Sequence, residues 1–303
     1  MLWTAPAPGP LAQTPRPAGR IVSPHLERLR AAASLIGDRS SVVRQSLLHE
    51  FRRAGAMARP LLRRALASDD ATVRAHARSL LDTLESEDVL RRLLRHVSRD
   101  VIDLEQALFL LSRLDRAHFD SRPYVRAIDA MGKEVRRRST HCGDDLERGK
   151  ILVEYLGTEL GYRGDMDTYP QPENVFLHRT IERKVGLPLT LCALYSFVGR
   201  RAGIRTGLVP LPGHVMLRLY GSSKNLIVDP FHGGEARCQE SLMAYLREHG
   251  LKFRPVWFQD ACENRLLRRQ IANLRNAYMA VSRHGRARRL VPLIDHLDHQ
   301  LGL

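Results

Sequence analysis

The sequence has few of the residues that staple small secreted or metal-bound proteins. Its 303 residues include four cysteines, Cys142, Cys192, Cys238 and Cys262, with no CxxC pair among them. That excludes a disulfide framework and a zinc ribbon, and it predicts a reducing, cytoplasmic setting. No apolar run approaches the roughly 18 residues that a membrane helix needs, so no membrane association is expected. GxxxxGK[ST], GxGxxG and HExxH are all missing, which leaves nucleotide and zinc-protease chemistry without their usual frames. The opening residues, MLWTAPAPGPLAQTPRPAG, lack a basic stretch followed by an apolar one, and no secretory signal is expected.

Lysine is scarce as well. The net charge is +15, yet only five of the 48 basic residues are lysine (Lys133, Lys150, Lys184, Lys224 and Lys252). The arginines run along the whole chain, mostly in helical stretches with Leu and Ala. No zinc finger, RNP motif or helix-turn-helix accompanies them. This pattern points to a coding bias, with weak salt-sensitive association but no specific nucleic-acid binding expected.

What remains is an ordinary globular composition, 44% hydrophobic and 27% charged, with a length that suits about two domains. Residues 1–22 hold five of the sixteen prolines and read as a disordered leader. Residues 23–97 read as a helical lobe, with Leu26, Leu29 and Leu35, then Val43, Leu47, Leu48 and Phe51, at three- and four-residue spacings. Within it, SDDATVRAHARSLLDTL resembles a HEAT-type repeat, which one or two copies cannot extend into a solenoid. Residues 98–258 read as a mixed core: helices over about 103–114, 123–135, 147–159, 174–183 and 188–202, then strands over 206–211, 214–220 and 225–228. Residues 259–303 read as a helical hairpin around Gly285. The expected class is α+β with helices dominant and a small antiparallel sheet.

The chemistry-bearing stretch is 160–232. Gly186 precedes a helix start, His214 opens a strand, and Asp229 ends the next one. A nucleophile at a helix N-terminus, followed by His and Asp on neighbouring strands, is the order that papain-like and transglutaminase-like sites use. The helix end lowers a thiol's pKa, His takes its proton, and Asp fixes the imidazole tautomer.

YRGDMDTYPQPENVFLHRTIERKVGLPLTLCALYSFVGRRAGI, LVPLPGHVMLRL and LIVDPFHGG together resemble the bacterial SirB-type family. This is the second type of transglutaminase-like core, which some eukaryotic F-box proteins share. The resemblance covers roughly residues 100–300. It implies a papain-like core, a retained His214–Asp229 pair, and a cleft marked by Asn174, Gly186, Pro188, Pro212, Gly213 and Phe231. The family often continues into tetratricopeptide-like helices, here expected to be shortened. Aligning the active pattern G-x-C on Gly186 and Gly203-Ile204 places the nucleophile position on Pro188, which has no reactive group but suits a first helical turn.

Two side chains stand near enough in sequence to be weighed as substitutes. Thr190 lies roughly 200° round the helix from Pro188, and reads equally as a cap. Cys192 shares the face of Pro188 but sits about 6 Å further along, and reads equally as a small buried hydrophobe. His214 and Asp229 have bland readings too, as a structural histidine and a turn former. His178 and Glu182, four apart on one helix, would join His214, Asp229 and His232 in a metal site, but this spacing is common on solvated helix faces. Neither a metal nor a cofactor is expected. The function expected is a non-catalytic transglutaminase-like module that binds a protein or peptide. The alternatives are an amide-acting hydrolase or transferase using Cys192 or Thr190 with His214 and Asp229, and an arginine-rich RNA-associated factor.

Overall fold

A computed structural model of the chain describes residues 24–99, 101–116 and 119–303. The leader expected over 1–22 lies outside them. The chain divides into two compact units, the first ending at Leu84 and the second beginning at Glu85.

The first unit is helical: α1 (Pro24–Ser34), α2 (Ser41–Ala54), α3 (Ala58–Ala65) and the start of α4 (Ala71–Val97), within which the division falls. Leu29, Leu47 and Phe51, which the apolar pattern marks, form its core with Leu62, Ala77 and Leu80, whereas Leu35, marked by the same spacing, is exposed. Asp70 starts α4, its Oδ1 accepting from the Thr72 N–H at 2.7 Å.

The second unit packs helices around one buried helix and a sheet. Its helices are α5 (Leu104–Ser112), α6 (Arg122–Arg138), α7 (Asp145–Val153), α8 (Leu177–Arg183) and α9 (Pro188–Ala202). The helix expected over 147–159 is α7 continued by a wider π turn, Glu154–Glu159. Helix α9 opens on Pro188, whose missing N–H costs nothing in a first turn. It ends at Gly203, held at φ 73° where a side chain would be strained, and the Ile204 N–H then closes on Gly199 O at 2.8 Å. Leu191, Cys192, Tyr195 and Val198 are buried within it, because helices cover α9 on one side and the sheet on the other.

The sheet is antiparallel, in the order β1 (Thr206–Val209), β2 (Met216–Leu219), β3 (Leu226–Asp229) and β4 (Glu235–Arg237). Leu208 faces Leu217, Leu217 faces Val228, and Asp229 faces Glu235. The strands lack clean alternation because both faces are covered. Packing against α9 buries one face, and the other meets Leu242 of α10 (Gln239–Glu248) with Trp257 and Phe258.

At the C-terminal end, α11 (Glu263–Ala280) packs against α13 (Val291–Leu301), with the short α12 (His284–Arg289) between them. Gly285 lies inside α12, and the sharp turn falls at Ser282, whose φ is 58°. Among the described residues no helix is long and apolar enough to cross a membrane.

Candidate functional site

His214 leaves a tight turn, Leu211-Pro212-Gly213, in which Gly213 takes φ 76° and the His214 N–H returns to Leu211 O at 3.2 Å. Asp229 ends β3 and caps the short 3-10 turn Pro230–His232 by accepting from the Phe231 N–H at 3.1 Å. Pairing of β2 with β3 therefore brings the two side chains together. His214 Nε2 lies 2.9 Å from Asp229 Oδ1.

Asp229 gathers further donors. His232 Nδ1 is 2.8 Å from its Oδ2, and Arg237 Nη2 donates to the same oxygen at 3.2 Å. The carboxylate is 1% exposed. Burial alone would raise its pKa, but the hydrogen bonds and charges of His214 and His232 outweigh it and hold the value at about 2. An ionised Asp229 requires each histidine to present an N–H to it. The hydrogen bond thus places a proton on His214 Nε2 and leaves Nδ1 without a protein partner among the described residues. A thiol-imidazole site needs a proton on that side of the ring.

Pro188, the residue that the resemblance aligns with the nucleophile, is buried at the head of α9. Cys192 is fully buried, and its Sγ donates to Val215 O at 3.3 Å. Burial pushes its pKa well up, and the Asp229 charge pushes it further. Thr190 is sealed too. Its hydroxyl lies 3.2 Å from Asn174 O and 3.3 Å from Val175 O, and it accepts from Gln270 Nε2 at 2.9 Å. Both side chains bind the scaffold.

Asn174 and Gly186 belong to that scaffold as well. The Leu187 N–H donates to Asn174 O at 2.9 Å, and Asn174 Oδ1 accepts from Arg183 Nη1 at 3.0 Å. A Cβ on Gly186 would come 2.6 Å from Thr180 Oγ1, so only glycine lets the chain pass into α9. Pro212 O accepts from the Tyr245 hydroxyl at 2.8 Å, which ties the His214 turn to α10. The Phe231 ring stands edge-on to His214 at 5.8 Å.

A cavity of about 300 Å³ opens beside His214, walled by Asp229, His232, Arg237, Tyr245 and Glu248 with the apolar Met216 and Leu242. Arg237 and Tyr245 are site residues that the motif pattern does not single out, and His232 is singled out there only as a possible metal ligand. His232 is the residue that offers a metal option. One ligand atom each from His214, Asp229 and His232 lie within 4.8 Å of one another. His178 and Glu182 do not join them. His178 Nε2 is 3.1 Å from Asp115 Oδ2, and Glu182 pairs with Arg116 and Tyr124 in a separate cluster. The arrangement around Asp229 is that of a hydrogen-bonded carboxylate already neutralised by Arg237.

Helix head, His on one strand and Asp on the next form the frame with which the chain can be compared with known proteins. Residues 122–272 match the model of the transglutaminase-like superfamily. They span α6 to α11 and thus the whole His214–Asp229 frame. A UPF0162 protein of Xylella fastidiosa is 34% identical over 153 residues, covering 50% of this chain and 54% of its own length. A UPF0162 protein of Vibrio cholerae is 26% identical over 165 residues, 53% of this chain and 61% of the relative. F-box only protein 21 of Mus musculus is 28% identical over 76 residues, 25% of this chain and 12% of the relative. The chain spans little more than half the length of the UPF0162 relatives it matches. No solved structure matches. The transglutaminase-like match and the observed helix-dominated fold with its four-stranded sheet agree with the expected class.

Proposed function

We propose that this chain is a non-catalytic, SirB-type transglutaminase-like protein whose cleft at His214 and Asp229 binds a protein or peptide. Pro188 carries the reading. What supports it is the helix head beside a strand pair that joins His214 to Asp229, with proline at the position that the resemblance assigns to the thiol. The two substitutes weaken rather than rescue catalysis, since Cys192 is sealed in the core and the Thr190 hydroxyl is held among scaffold groups. A cavity of about 300 Å³ lined by polar residues together with Met216 and Leu242 suits binding of a peptide segment. The helical first unit, HEAT-like in its sequence pattern, supplies an adaptor surface. The protein would act in the cytoplasm, without metal, cofactor or membrane.

Peptide-amide hydrolysis and amine transfer, assayed with wild type and His214→Ala, test this reading. The expected result is the same background rate for both proteins. Robust activity that His214→Ala abolishes would overturn it.

A further inference from the structure

A second cavity, of about 670 Å³, shares no lining residue with the His214 cleft. Its walls belong wholly to the second unit and come from the end of α4, from α5, from the start of α6 and from the end of α9. Six of the lining residues are arginines: Arg92, Arg95, Arg99, Arg113, Arg200 and Arg201. Two, Asp103 and Glu105, are acidic. A concave wall dominated by one sign of charge focuses its field into the space it encloses, and so draws ions of the other sign.

Part of this wall is built and part is open. Arg200 Nη2 and Arg201 Nη2 both donate to the buried Glu105, at 2.6 and 2.7 Å, and Arg201 Nε donates to Asp129 Oδ1 at 3.0 Å. One buried carboxylate thus fixes two guanidiniums. His96, also buried, donates from Nε2 to Asp103 O at 3.0 Å and ties the end of α4 to the start of α5. The Asp103 side chain caps α5, its Oδ1 accepting from the Gln106 N–H at 3.0 Å. Arg92 pairs with Asp88, outside the cavity, at 3.1 Å. Arg95, Arg99 and Arg113 have no acidic partner among the described residues; the first two are exposed and the third is half-buried. Elsewhere in this unit the pattern is different, with Arg116 matched by Glu182, Arg179 by Asp115, Arg218 by Asp260 and Arg268 by Asp298. The cavity therefore carries positive charge that its own walls do not balance.

We infer that this cavity binds an oligophosphate, a chain of two or more linked phosphates, free or carried by a small organic group. The guanidinium fork matches phosphate oxygens in pairs, and the Glu105-held pair presents two such forks without further ordering. Three unmatched cations suit a ligand of several negative charges. A lone carboxylate would leave two of them unbalanced. The volume falls within the range of small-molecule sites, about 300–1,000 Å³. Leu110 and Val125, both partly exposed, give the organic group an apolar stretch of wall. Phe109 and Phe119 also line the cavity, but they are buried and stacked on each other at 6.1 Å. They do not offer the open ring faces on which single-stranded nucleic acid stacks its bases. This inference does not depend on the reading of the His214 cleft.

The test is calorimetric titration of the full chain at constant ionic strength. The probes are tripolyphosphate, adenosine triphosphate, citrate and a short single-stranded RNA without terminal phosphates. The expected result is saturable, one-to-one binding of at least one triphosphate, with citrate and RNA bound more weakly. Equal affinity for the two triphosphates assigns the site to the phosphate chain alone, and a preference for adenosine triphosphate adds the organic group. Arg95→Gln, Arg99→Gln and Arg113→Gln should each weaken binding roughly tenfold, the effect of one hydrogen bond to a charged group. Arg247→Gln combined with Arg288→Gln removes exposed arginines outside the cavity and should change the affinity by about twofold or less, since distant surface charges are screened. If this control loses as much as Arg95→Gln combined with Arg99→Gln, the binding is diffuse attraction to a basic protein and the inference falls. It falls equally if citrate or the RNA binds as tightly as the triphosphates, or if neither triphosphate binds.

Discussion

His214 Nε2 and Asp229 Oδ1 meet at 2.9 Å, although one comes from the turn before β2 and the other from the end of β3. Asp229 is also the acceptor for His232, Arg237 and the Phe231 N–H, so a single buried carboxylate ties together two strands and a 3-10 turn. That many charged donors on one acceptor make it a structural keystone whatever the cleft does.

Asp229→Asn should therefore destabilise the protein by about 2–4 kcal/mol, because Arg237 and two imidazoles lose their anion in a buried place. Urea unfolding of wild type and variant checks this. A loss below about 0.5 kcal/mol would mean that the network contributes little to stability.

The same carboxylate predicts an acid limb. Its folded pKa of about 2 lies below its ordinary value of 3.8, so its contribution is fully present above pH 4 and is lost as pH falls toward 2. The contribution is roughly 2 kcal/mol. Unfolding free energy measured between pH 5 and 2 should fall more steeply in wild type than in Asp229→Asn. Parallel curves would contradict the assignment.

Gly164 lies against the Phe231 ring, where an added Cβ would come within 2.1 Å of a ring carbon. Gly164→Ala should cost about 1–3 kcal/mol by overpacking. It should also disturb His214, whose ring rests on Phe231. Thermal unfolding and the His214 ring signals report the two effects separately.

Thr190→Val should cost about 1–2 kcal/mol, since Gln270 Nε2 and two backbone carbonyls lose a shared hydroxyl in the core. Thr190→Ser, which keeps the hydroxyl, should cost less. Equal losses would show that packing of the methyl group, not the hydrogen bonds, fixes this residue.

Helix α9 is legible in the sequence because proline and glycine punctuate both of its ends, at Pro188 and Gly203. His214 and Asp229 are legible because each sits beside a turn signal, Pro212-Gly213 and Pro230. What escapes sequence reading is long-range. Arg269 reaches Leu211 across 58 positions, and His178 reaches Asp115 across 63. A helical heptad with an arginine in it looks the same whether that arginine faces water or a cleft. Strand β4 escapes for another reason: its three residues, Glu235, Ala236 and Arg237, are too few and too exposed to show a period. The burial of Cys192 is half legible, as one apolar helix face among several. Only the sheet laid over that face decides that the thiol is sealed.

The central claim, a thiol frame without a working thiol, is tested most directly by the alkylation rate of each cysteine between pH 5 and 9. Mass spectrometry reads the sites, with wild type and His214→Ala side by side. The exposed Cys238 and Cys262 should react, and Cys192 should stay unmodified in both proteins until they unfold. Rapid modification of Cys192 in native wild type near neutral pH, lost in His214→Ala, would contradict the account and establish a living thiol-imidazole pair.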